Sequence, residues 1–123
     1  MTDKERSCEE FGRLLDIIDE LRDKCPWDRE QTNESLRKLT VEETYELADA
    51  IYSGDEDGIR NELGDLMLHI VFYAKIGSEK NQFSMADVLK GINEKLIYRH
   101  PHVFGNVKVS GSSEVETNWE HLK

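Results

Sequence analysis

Four acids fall within residues 41–50, "VEETYELADA": Glu42, Glu43, Glu46 and Asp49. A second pair follows in "ELGD", Glu62 and Asp65, again three positions apart. Each helical residue advances the helix by about 100°, so residues three apart share a face. Glu43 with Glu46, and Glu62 with Asp65, then form two carboxylate pairs, and antiparallel helices joined by a short turn can set the pairs against each other. Carboxylates gathered so closely repel unless a cation lies among them. An oxygen-only set suits a hard divalent ion, Mg²⁺ or Mn²⁺ ahead of Zn²⁺. Mg²⁺ keeps positions open for water and phosphate oxygens, so a phosphate-bearing substrate fits such a site. The plain alternative is solvated helix surface, with Glu43 serving as the capping partner of Thr40. Glu62 and Asp65 resist that account. They interrupt the most apolar helix beside Gly64, and a glycine inside a helix costs about 1 kcal/mol while admitting close approach of a ligand or another backbone.

The elements that must position these acids are all helical. Phe11, Leu14, Leu15, Ile18 and Leu21 recur at helical spacing and predict an amphipathic helix over 5–24, ended by Pro26. "CPWDREQT" (25–32) reads as a loop, with Trp27 as a packing or interface anchor. Thr32 or Asn33 caps a short helix to Leu39, and Thr40 with Glu43 makes a capping box opening a second helix to Tyr52. "SGDEDG" (53–58) is a turn. A long helix over 56–77 has a wide apolar arc and is expected to be the central, most buried one. Ser84 with Asp87 opens a helix over 85–99, stopped by Pro101; residues 103–111 are either a loop or a short extended piece. Ser113 with Glu116 suggests one more capping box. The fold class expected is all-α, a four- to five-helix bundle forming a single domain over 1–123. The chain stops inside a fresh helix, which suggests a domain cut from something longer.

Composition narrows the chemistry. Charged residues make up 34% of the 123 and the net charge is −10, so nucleic acid and anionic membranes are poor partners and a divalent cation is a good one. The most apolar run, 66–74 "LMLHIVFYA", is too short to cross a bilayer. Cys8 and Cys25 match no metal-ligand spacing and read as reduced thiols of a cytoplasmic protein. A di-iron bundle would need Glu-x-x-His on two helices. None is present, and His69, four residues after Asp65, reads as a core or interface histidine.

"CPWDREQT", "VEETYELADAI", "NELGDLMLHIVFYA", "INEKLIYRHPHVFG" and "NWEHLK", in this order, resemble the MazG family of nucleoside triphosphate pyrophosphohydrolases. The resemblance covers the chain from about Phe11 onward. It implies an all-α fold completed by dimerisation, and Mg²⁺-dependent cleavage of nucleoside triphosphates to the monophosphate and pyrophosphate, with Mn²⁺ as a substitute ion. It implies Glu43, Glu46, Glu62 and Asp65 as metal ligands, and Glu42 as an acid that supports or orients the attacking water. Glu46 is the preferred general base. Lys38, Asn93, Lys95 and Arg99 would meet phosphate or base, and Trp119 would lie against the nucleotide. By spacing alone Lys95 and Arg99 are a solvated basic strip, while His100 and His102 bracket a rigid turn at Pro101. Two other readings remain: a non-catalytic helical dimerisation module, and a narrow-specificity pyrophosphatase of the dUTP or dCTP type.

Overall fold

The computed structural model describes residues 1–123, which form seven helices and no strand. Two compact units divide the chain, Met1–Ser84 and Met85–Lys123.

In the first unit, α1 spans Asp3–Lys24. Thr2 caps it, its hydroxyl accepting the Glu5 backbone N–H at 3.1 Å. The stretch expected to be a loop contains a short helix, α2, over Pro26–Glu30, because proline at the first position fits a helix start. α3 is one unbroken helix, Asn33–Ser53. The expected new start at Thr40 is therefore corrected. No proline or glycine interrupts the helix there, and the Thr40 hydroxyl bonds back to the Leu36 carbonyl at 3.1 Å. The capping box sits instead at Thr32 and Ser35, each side chain bonding the other's backbone N–H, at 3.1 and 2.9 Å. Gly54 ends α3 in the left-handed region at φ 70°, a conformation that favours glycine. Asp55 then caps α4, Glu56–Glu79, through the Gly58 N–H. That one-turn link lays α3 and α4 side by side, antiparallel.

Burial on α4 is uneven. Val71, Phe72, Ala74 and Ile76 join Ile18 of α1 and Leu36 of α3 as the core. Leu63, Met67 and Ile70 remain exposed, so α4 is the most buried helix, as expected, but its burial is concentrated from Val71 onward. α1 reaches α4 there, where Lys75 pairs with Asp19 and Arg22 pairs with Glu79. Gly77 is required by close approach: a Cβ would stand 2.6 Å from the ring of Phe83. Arg22 ties the unit together. It holds the Glu79 carboxylate at 2.9 Å, donates to the carbonyls of Asp28 and Gln31, and lies over the Phe72 ring. The same guanidinium holds the Glu79 carboxyl below its ordinary value.

In the second unit, α5 covers Met85–Arg99, α6 covers Pro101–Phe104 and α7 covers Ser112–Leu122. Pro101 ends α5 and at once opens α6 as its first residue. Residues 105–111 are irregular and not extended into a strand. The capping box expected from Ser113 and Glu116 is absent: Gly111 caps α7 without a side chain, and Ser110 before it gives its N–H and hydroxyl to Glu114, at 3.1 and 2.9 Å. Cys8 and Cys25 are free thiols, and no helix is long and apolar enough to cross a membrane.

Candidate metal centre

The α3–α4 hairpin brings three of the expected acids together. Oxygen atoms of Glu43, Glu62 and Asp65 all lie within 4.8 Å of one another. Antiparallel packing produces this directly, because as residue numbers rise along α3 they fall along α4. Glu43 is buried, with 8% of its surface exposed, while Glu62 and Asp65 are half-buried. Glu43 Oε1 and Glu62 Oε2 are both shut away from solvent, and the rest of the chain offers neither a donor. Without a cation the cluster holds a proton instead. The Glu43 carboxyl is pushed up from 4.5 to about 8, first by burial, then by its hydrogen bond to Glu62, then by the charges of Glu62, Asp65 and Glu46. Buried carboxylate oxygens with no donor, converging from two rigid helices, are the donor set a hard divalent cation requires, so the residues fit such an ion.

Glu46 is exposed and lies outside the three-acid group, yet near enough for its charge to act on Glu43. Glu42 and Asp49 are exposed on α3, as is Lys38. Gly64 meets nothing within 4 Å of a built Cβ, so the chain leaves open space beside the acids on α4. In the second unit Asn93 and Lys95 are exposed on α5. Arg99 and Trp119 come together there, the guanidinium carbon 4.8 Å from the indole ring centre. His100 packs on the same indole with ring centres 5.3 Å apart, and its Nδ1 lies 2.6 Å from the Leu96 carbonyl. His100 and His102 thus belong to the turn and its packing.

Two features escaped the sequence reading. One is Arg22, whose role depends on carbonyls brought together by the α1–α2 corner. The other is a polar contact between α3 and α4 made by Thr40, His69 and Tyr73. Its signal was the four-residue spacing of Asp65, His69 and Tyr73 along one face.

The structure thus presents an all-α chain in which one helical hairpin gathers three acids that fit a divalent cation. The comparisons narrow this further. Residues 31–104 match the MazG nucleotide pyrophosphohydrolase domain. The chain is 46% identical over 117 residues to the nucleoside triphosphate pyrophosphohydrolase of Escherichia coli, covering 93% of this chain and 44% of that protein. It is 47% identical over 116 residues to the uncharacterized protein YabN of Bacillus subtilis, covering 93% of this chain and 24% of that protein. Among solved structures, a MazG-related protein from Thermotoga maritima matches with a TM-score of 0.75 and 28% identity, over 89% of this chain and 96% of that one. The chain belongs to the MazG family, and it spans less than half the length of these two curated relatives.

Proposed function

We propose that the chain hydrolyses nucleoside triphosphates to the monophosphate and pyrophosphate with Mg²⁺ as cofactor, Mn²⁺ substituting. The observation that carries this reading is the convergence of Glu43, Glu62 and Asp65 within 4.8 Å, with buried oxygens of Glu43 and Glu62 that no donor of the chain reaches. Names of relatives support the reaction: proteins 46% and 48% identical to this chain are called nucleoside triphosphate pyrophosphohydrolases. When bound, the cation neutralises phosphate oxygens and lowers the pKa of water.

The chain's own residues divide the remaining work. Glu43, Glu62 and Asp65 hold the ion, with Glu46 completing the set from the exposed edge of α3. Water attacks the α-phosphorus, and the bridging oxygen leaves with pyrophosphate. The water's proton passes to a carboxylate, assigned to Glu46, which is solvated and not closed into the buried cluster. Glu42 orients the water. Lys38, Asn93, Lys95 and Arg99 meet phosphate or base, and Trp119 lies against the nucleotide. A homodimer is part of this reading, supported by the exposed Leu63, Met67 and Ile70 on α4 beside the acids.

The test is a panel of nucleoside triphosphates with Mg²⁺, read by pyrophosphate release. Release from several nucleotides supports broad specificity, and release from dUTP or dCTP alone supports the narrow enzyme. No release from folded protein refutes catalysis by this chain and leaves the dimerisation module. Glu46→Gln should remove most turnover while substrate still binds; near-normal turnover ends its assignment as base.

A further inference from the structure

The Thr40 hydroxyl is saturated. Its oxygen lies 3.1 Å from the Leu36 carbonyl, 2.8 Å from His69 Nδ1 and 2.5 Å from the Tyr73 hydroxyl. A hydroxyl gives one proton and accepts two. The Leu36 carbonyl can only accept, so filling all three contacts has Thr40 donate to Leu36 while His69 Nδ1–H and the Tyr73 O–H both donate to Thr40. In that network His69 donates from Nδ1.

The position of this contact matters. Thr40 lies three residues before Glu43 on α3, and His69 lies four after Asp65 on α4, so each is about one helical turn from an acid on its own helix. It joins the same two helices that present the acids. Once ionised, the acids repel one another and push those helices apart, whereas Thr40, His69 and Tyr73 join them whatever the acids' charge.

We propose that Thr40, His69 and Tyr73 are positioning residues for the cation site. They fix the rotation and spacing of α3 against α4 that set Glu43 opposite Glu62 and Asp65, and touch neither ion nor substrate. This rests on the metal reading above. Loss of partners bonded directly to metal ligands typically weakens affinity about 10- to 100-fold, and a contact one helical turn away is expected to act at the lower end of that range.

The experiment measures Mn²⁺ affinity by titration calorimetry and melting temperature on the same samples. Thr40→Val keeps the shape and removes the hydroxyl; Thr40→Ser restores it. His69→Phe removes the same contact from α4 and serves if the valine variant does not fold. Arg22→Met, which loosens the unit away from the acids, is the control for general destabilisation. The expected result is Mn²⁺ binding weakened about tenfold or more in Thr40→Val and His69→Phe, and within about threefold of wild type in Thr40→Ser and Arg22→Met. Folded Thr40→Val and His69→Phe that bind Mn²⁺ like wild type overturn the proposal alone, as does an equal loss in Arg22→Met. Wild-type protein that takes up no Mn²⁺ overturns the metal reading and this proposal with it.

Discussion

Cation uptake at the α3–α4 hairpin should expel a proton, and Glu43 sets how much. In the cation-free protein its carboxyl stands at about 8. At pH 7 about nine molecules in ten then carry the proton, about half do at pH 8, and about one in ten at pH 9. A metal ligand must be the carboxylate, so binding should release about 0.9 proton at pH 7, about 0.5 at pH 8 and about 0.1 at pH 9. Below pH 8 the observed affinity should fall about tenfold per pH unit, which is about 1.4 kcal/mol each. The assay is calorimetric titration of Mn²⁺ in buffers of different ionisation enthalpy, where the slope of observed heat against buffer enthalpy counts protons. Glu43→Gln should bind more weakly and give a slope near zero. A wild-type protein that binds Mn²⁺ at pH 7 with release below about 0.2 proton would show that Glu43 is already ionised, and the account of the buried cluster would be wrong.

The same carboxyl gives stability a definite pH dependence in EDTA. The native state keeps a proton that the unfolded chain loses above its ordinary value of 4.5, so the stabilisation is complete below that pH and vanishes as pH climbs through about 8. The melting temperature of wild type should therefore decline relative to Glu43→Gln between pH 5 and pH 8, and parallel curves would contradict this. Mg²⁺ at about 100 times its dissociation constant should stabilise the protein by roughly 2.7 kcal/mol, and Glu62→Gln should lose most of that gain; identical responses exclude Glu62 as a ligand. Arg22→Met strips the partner from Glu79 and from the carbonyls of Asp28 and Gln31, and should cost about 2–4 kcal/mol in urea denaturation. A cost under about 1 kcal/mol would mean that water replaces the guanidinium without penalty.

Much of the site was legible because it obeys helical arithmetic. Three-residue spacing singles out Glu43, Glu46, Glu62 and Asp65, of which the structure gathers all but Glu46, and the glycine-containing turn before α4 sets their helices side by side. The start of α4 followed from the turn composition of residues 53–58, and the extent of α5 from its cap residues and apolar periodicity. Thr40 shows where such reading fails. Its capping-box pattern was sound as local chemistry, but an uninterrupted helix won, and the hydroxyl turned to His69 and Tyr73 on another helix. Local patterns do not reveal that choice, since it is decided by packing. The exposure of Leu63, Met67 and Ile70 was hidden for a similar reason: periodicity marks an apolar face without telling what covers it. The clustering of Arg99 with Trp119 was likewise invisible, because α5 and α7 are separated by an irregular stretch.

The one-turn link at Gly54 and Asp55 has a consequence for how the protein comes into being. All three converging acids lie on a single helical hairpin, so the centre depends on contacts near in sequence, the kind that form early and fast. Mutual repulsion among the same acids opposes closure of that hairpin. Protonation or a divalent ion relieves the opposition, so the chemistry that equips the mature site also governs the speed at which its two walls first meet.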